Sequence, residues 1–284
     1  MLPSHPEPAK TGSGLGGAAI SRGFLIAVVV GYLLVLLAGP LVAIVLEAFD
    51  QGLAPLWAAL TQPDVLHAFE MTLWISLAAV LLCTLFGTVV AFVLVRQRFI
   101  GRAFLNGLVD LPFAVSPVVA GLMYILLFGQ QGWFEPWLEA AGIKVIFNWP
   151  GMVLATTFVA IPFVIRELMP VLQAVGLDQE QAAHTLGASR WTTFWRVTLP
   201  SVKWGLFYGI VLTFARAMGE FGAVLVVSGG ISGRTETATL FIFRALDERQ
   251  QVAGTGVALV MAAFSFSILI VMELLKSRTQ EAAQ

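Results

Sequence analysis

Four stretches of this chain, Phe24–Leu46, Leu73–Val95, Leu111–Phe128 and Val252–Met272, contain no charged residue. An α-helix crosses the hydrocarbon core of a bilayer with about 20 mostly apolar residues. In lipid every backbone N–H and C=O must be satisfied within the segment, so runs of this length are read as helices. Two further stretches fit with interruptions. Gly151–Ile165 continues past Arg166 and Glu167 into Leu168–Val175, and Trp204–Val227 is apolar except for Arg216 and Glu220. The expected fold is therefore all-α and integral to a membrane, with six transmembrane helices and both termini on one side. Composition agrees, since 12% of residues are charged where a soluble domain has about 25%.

Residues 1–23 are rich in Pro, Gly, Ser and Ala and read as a disordered terminus. Residues 24–276 form the six-span domain, and 277–284 a short tail. Phe24–Leu46 is longer than the core of a signal peptide, about 7–15 residues, so it reads as a retained first span. A single cysteine, Cys83, lies inside an apolar run, so neither an internal disulfide nor a cysteine-based metal site is available. His5 and His67 are lone polar residues near span ends with no metal role expected.

Orientation follows from cation placement. One set of loops carries Lys10, Arg22, Arg96, Arg98, Arg102, Arg190, Arg196, Lys203, Lys276 and Arg278, and the other carries Lys144, Arg234, Arg244 and Arg249. The richer set is expected in the cytoplasm, which puts both termini and the 96–107 and 176–203 loops there. Arg166 would snorkel to the same side. Trp57, Trp133, Trp137 and Trp149 fall at the outer edges and Trp204 at an inner one, where interfacial aromatics belong.

The loop from Gly176 to Pro200 is unusually polar for such a chain. Asp178 suits a helix N-cap, and Gln181 stands three residues on, where a capping box wants Glu or Gln. Ala182, Ala183 and Leu186 then share a face, and Gly187 is placed to end the helix. Ser189 suits the cap of a second short helix, and Pro200 its stop. A small, Ala-lined helix held off the membrane is shaped to dock into another protein. His184 lies on or beside its docking face.

Within the spans, Pro40, Pro112, Pro117 and Pro162 break the hydrogen-bond ladder, which suits either a gate or ordinary kinks. Arg216 and Glu220 are four apart on one face, and charges in a bilayer are usually paired. The alternative is that Arg216 helps a pore tolerate an anion while Glu220 holds a gate. The segment Phe113–Pro117 could also offer free N–H groups to an oxyanion. Asp110 suits the N-cap of the helix that follows.

Gln181-Ala182-Ala183, Gly187 and Val197-Thr198-Leu199-Pro200 resemble the coupling loop of the membrane subunits of binding-protein-dependent ABC importers. That family usually has Glu where Gln181 stands; Gln keeps the capping role but loses the charge, so a charge contact made there is either lost or moves to Glu180. Leu111–Gly121 and Ala215–Val224 are similar to sulfate and molybdate permeases. Val227-Ser228-Gly229 resembles the W-type subunit of the sulfate/thiosulfate importer best.

The resemblance implies a type I importer permease fold. It implies a T-type sister permease as heterodimer partner, two cytoplasmic ATPase subunits and a periplasmic or tethered sulfate-binding protein. Glu180, Gln181, Ala182, Ala183, His184, Leu186, Gly187 and Pro200 would form the ATPase-coupling loop. Ser116, Pro117, Arg216, Glu220 and Phe221 would line the path or gate. The chain has no Gly-x-x-x-x-Gly-Lys-Ser/Thr loop, so ATP and Mg²⁺ belong on the partner ATPase and no cofactor is expected on this chain.

Three other readings are weaker. Ala182–Arg190 looks like a DNA-binding helix-turn-helix, but its second helix has two Trp and few cations and runs into a span, so no nucleic-acid partner is expected. An ion-coupled secondary transporter would need more deep polar groups than Arg216 and Glu220. A molybdate or tungstate permease remains the alternative substrate class. No catalytic set of side chains appears, so the chain is read as a transport subunit in a bacterial inner membrane.

Overall fold

The computed structural model describes residues 14–281. Among them every regular element is a helix. Helix α1 (Gly14–Leu33) passes through a π turn at Leu34–Ala38 into α2 (Gly39–Phe49). A short α3 (Leu53–Leu60) leads to α4 (Pro63–Arg96), a rod of 34 residues. Then come α5 (Arg102–Ala114), α6 (Pro117–Phe128) and the small α7 (Glu135–Ala140). Helix α8 (Trp149–Val175) precedes the polar loop, which holds α9 (Asp178–Thr185) and α10 (Arg190–Thr193). A second π turn, Phe194–Thr198, joins α10 to α11 (Leu199–Met218). The chain closes with α12 (Gly222–Ser228), α13 (Ala238–Asp247) and α14 (Gln251–Glu281).

Among the described residues five helices are long and apolar enough to cross a membrane, and α5 with α6 makes a sixth span if the bent pair counts as one. That pair turns by 111° at Val115–Ser116. The turn has a local cause, because Pro117 disfavours helical geometry at the residue before it and cannot donate to the ladder.

Helix α8 is the axis of the bundle: 56% of its apolar window is buried by this chain, against none for the first span. It packs on α4 and α11. The buried face of α4 explains how closely the rods lie. Ala68, Thr72, Ser76, Ala79, Cys83, Gly87 and Ala91 recur every three or four residues along it. Small side chains let backbones approach where lipid gives no hydrophobic drive between helices. Val164 of α8 sits between two glycines, Gly87 of α4 and Gly209 of α11. The first span, by contrast, leaves nearly all its Leu, Val and Ile side chains uncovered by this chain, as a lipid-facing rod would.

Several expectations change. Residues 14–23 belong to α1 rather than to a disordered terminus, and α14 runs through the residues expected as a tail as far as Glu281. The readings for residues 1–13 and 282–284 lie outside the described residues. Pro200 does not stop a helix: Arg190–Met218 runs as one rod. The π turn explains this. Leu199 N–H bonds to Phe194 C=O, one residue further back than in an α-helix, which widens the ladder just ahead of the proline ring. The other π turn lies the same way, two residues ahead of Pro40. Finally, the expected fifth span does not run unbroken to Val227, because the rod ends at Met218 and restarts at Gly222.

Candidate functional site

Two places gather the residues singled out from the sequence. The first is α9. Its helix ends as the glycine suggests: Gly187 N–H donates to His184 C=O at 3.0 Å and Ala188 N–H to Ala183 C=O at 3.0 Å. That bond pair is the Schellman motif, and it needs Gly187 at its φ of +85°. The N-terminal expectation is corrected by one residue. Leu177 is the N-cap, no side chain caps the helix, and Asp178 is the first helical residue. Asp178 and Glu180 still favour the N-terminus by placing negative charge in its first turn.

Gln181, Ala182 and His184 are uncovered by this chain, as is Gly187, while Ala183 is half-buried. Leu186 projects with 89% of its surface open. When His184 Nδ1 carries the proton it donates to Ala188 C=O at 3.0 Å, which ties the ring to the turn. Ser189 caps the next helix as expected, accepting from Thr192 N–H at 3.2 Å. Pro200 lies inside the following rod. Glu180 does not face outward with the rest: its Oε1 accepts from Arg96 Nη2 of α4 at 2.9 Å.

The second place is where two helices break side by side. Ser116 and Pro117 open α6 after the 111° turn. Facing them, Gly219–Phe221 separates α11 from α12. A Cβ on Gly222 would lie 3.0 Å from Pro117 Cβ, and one on Gly121 would lie 2.7 Å from Val226 Cβ and 2.8 Å from Ala223 C=O. The two breaks are thus in van der Waals contact.

Arg216 and Glu220 pair as expected, with Arg216 Nη2 2.8 Å from Glu220 Oε2. The approach lacks hydrogen-bond geometry, since Oε2 has no hydrogen-bond partner, so the attraction is Coulombic. Glu220 itself lies beyond the helix end. Its Oε1 accepts from Ala223 N–H at 3.0 Å and caps α12, while its carbonyl accepts from Thr239 Oγ1 at 2.8 Å. Phe221 rests against Phe243, ring centroids 5.4 Å apart.

Sequence reasoning missed several contacts. Asp110 is inside α5 and caps nothing; it receives Arg166 Nε at 2.8 Å and also Nη2. Asn106 accepts from Arg166 Nη1 and Nη2, and Met169 sulfur takes the remaining N–H, so every donor of that guanidinium is engaged. Asn106 and Asp110 stand four apart, so they share a helix face, the one local signal of a common partner. Glu236, almost fully buried, takes Arg244 Nε at 2.7 Å and Nη2 at 3.0 Å. That carboxylate holds the Arg244 guanidinium above its ordinary pKa.

At the end of the bundle away from α9, a cavity of about 940 Å³ is lined by Glu135, Glu139, Lys144, Asn148, Arg234 and Thr235 among others. Its charges balance. Among the described residues no cluster of His, Cys, Asp or Glu could hold a metal.

Residues 84–281 match the family described as binding-protein-dependent transport system inner membrane component. The chain is 47% identical over 255 residues to the sulfate transport system permease protein CysW of Synechocystis sp., covering 90% of this chain and 92% of that protein. It is 40% identical over 239 residues to CysT of Escherichia coli K12, covering 84% and 86%. Its fold matches a chain of a bacterial ABC transporter involved in alginate import, with a TM-score of 0.75 at 16% identity over 92% of this chain and 98% of that one.

Proposed function

This chain belongs to the binding-protein-dependent transport system inner membrane components, and on that premise we propose that it is the W-type permease subunit of an ATP-driven sulfate importer. Thiosulfate is the expected second cargo. The observation that carries the transport role is α9: a short helix, closed by a Schellman turn, with Leu186 presented to a partner. The sulfate assignment rests on the 47% identity to a sulfate permease.

In this reading the multi-pass chain lies in the inner membrane with both termini and α9 in the cytoplasm, the side that the cation bias favours. Two ATPase subunits grip α9 and that of a T-type sister permease. A periplasmic or tethered sulfate-binding protein delivers the anion to the opposite face. ATP and Mg²⁺ bind to the ATPase pair, not to this chain. Closure of that pair moves α9, and the spans exchange between inward and outward states as a two-state element biased by ATP.

The adjoining breaks at Ser116–Pro117 and Glu220–Phe221 are where the spans can flex, because neither carries a continuous ladder. Glu220 is held by Arg216 and by the α12 backbone, so it does not stand as a bare carboxylate against an anion. Arg216 meets Glu220 through Nη2, and its side chain is 30% exposed. Its other donors can face the path, which makes it the cation of this chain best placed to ease a dianion through.

Uptake of labelled sulfate in cells deleted for this gene, with and without the gene restored, tests the reading. Restored uptake blocked by thiosulfate but not by trace molybdate is expected. Uptake indifferent to the gene would refute sulfate and favour molybdate or tungstate.

A further inference from the structure

Glu180 is where the sequence transfers the charge that Gln181 lacks, and the structure spends that charge inside the chain. Arg96 is the last residue of α4, and its Nη2 lies 2.9 Å from Glu180 Oε1. Both side chains are largely covered, at 12% and 19% exposure. Each also suits its own helix end, the cation at the C-terminus of α4 and the anion in the first turn of α9. Arg96 Nε is buried without a hydrogen-bond partner, so Glu180 is the group that compensates this guanidinium.

The ion pair is the direct link from α9 itself to α4, beside an indirect one in which Phe92 of α4 meets Phe194 of the π turn, ring centroids 5.5 Å apart. Helix α9 packs on α10 and on the π turn that follows, with no comparable packing against α4. On its other side Ser201 Oγ of α11 lies 3.1 Å from Gln179 Oε1. Two adjacent residues of α9 therefore reach two different spans, and both spans lie along α8.

We propose that Glu180 and Arg96 form a strap that makes α4 follow α9, so that Glu180 is a positioning residue within this chain and not a charge offered to the ATPase. Without the strap, a push on α9 reaches the end of α4 only indirectly, through Phe92 against Phe194 and through Ala91 and Leu94 packed on α8 and α11. Part of each ATPase stroke is then lost before it reaches α4.

The test uses the complete complex in proteoliposomes with its binding protein, reading sulfate taken up per ATP hydrolysed. Glu180→Gln and Arg96→Gln should each lower that ratio about 5-fold or more, the scale of an ordinary coupling free energy. In the Arg96→Cys/Glu180→Cys double variant, a bis-methanethiosulfonate reagent spanning the two thiols should restore the ratio to within about twofold of the parent, because the strap is then covalent. Cys83 is fully buried and does not compete for the reagent.

Parent-like ratios in both single variants would overturn the strap. So would a bridge that halts uptake while ATP hydrolysis continues, since the two ends would then have to part during the cycle. If the single variants fail to assemble, the bridged double variant decides alone. The inference rests on the importer reading, and the two fail differently: a parent complex that does not carry sulfate refutes the substrate, and the ratio is then read with the oxyanion it does carry.

Discussion

Removing Arg216 should harm this protein more than removing Glu220, and more than removing both. The reason lies in how unequally the pair is covered: the side chains are 30% and 3% exposed. Arg216→Ala strands a buried carboxylate, a loss of about 3–5 kcal/mol when one partner of a buried pair is taken away. Glu220→Ala leaves a guanidinium that can still turn toward its open side. Its cost is mainly the orphaned Ala223 N–H, about 1–3 kcal/mol. The double variant has no stranded charge and lacks the same cap, so it should lie close to Glu220→Ala. The sign of the coupling therefore decides the matter. Unfolding of the purified protein from mixed micelles by SDS, followed by far-UV circular dichroism, gives the three losses on one scale. If the double loss equals the sum of the single losses, the residues do not act as a pair, and the reasoning is wrong.

Two further substitutions address the breaks and the knob. Gly121→Val places its Cβ within 2.8 Å of Ala223 C=O, so α6 and α12 must separate; overpacking of this kind costs about 1–3 kcal/mol, read as a lower SDS midpoint, whereas an unchanged midpoint would refute the contact. Gly187→Val meets no atom of this chain but forces a β-branched residue to a φ of +85°, a strain of about 1–3 kcal/mol. The permease should remain folded while uptake per ATP falls, and parent-like coupled uptake would show that the turn tolerates the change.

The spans were legible because lipid makes one demand of every residue in them, and an uncharged run satisfies it without reference to the rest of the fold. The end of α9 was legible for a similar reason: Gly187 acts within its own turn. The start of α9 is one residue earlier than residue type suggests, because Asp178 enters the first helical turn and Leu177, with no polar side-chain group, stands at the cap. Pro200 was misread because the local rule that proline ends a helix ignores a π turn ahead of it. Asp110 was assigned a cap, and its true partner, Arg166, lies 56 positions away. Arg96 and Glu180 are 84 apart. Neither partner can be inferred from neighbours in the chain, because only the packing of α4 and α5 against the rest of the bundle brings them together.

The pairing of arginines within the chain carries a consequence for traffic through the bundle. Arg96, Arg166, Arg216 and Arg244 each hold a carboxylate of this chain. In the proposed transport role, a dianion passing these helices would meet guanidiniums already compensated within the chain, Arg244 by two carboxylates, rather than a bare column of positive charge. Its energy profile would accordingly be shallow, with no deep resting place in which to linger. A passage must bind weakly enough to let its cargo leave, and a flat profile does this at the expense of discrimination. The choice among oxyanions then falls to whatever presents them at the mouth, and the membrane part sets the speed at which an already chosen ion is let through.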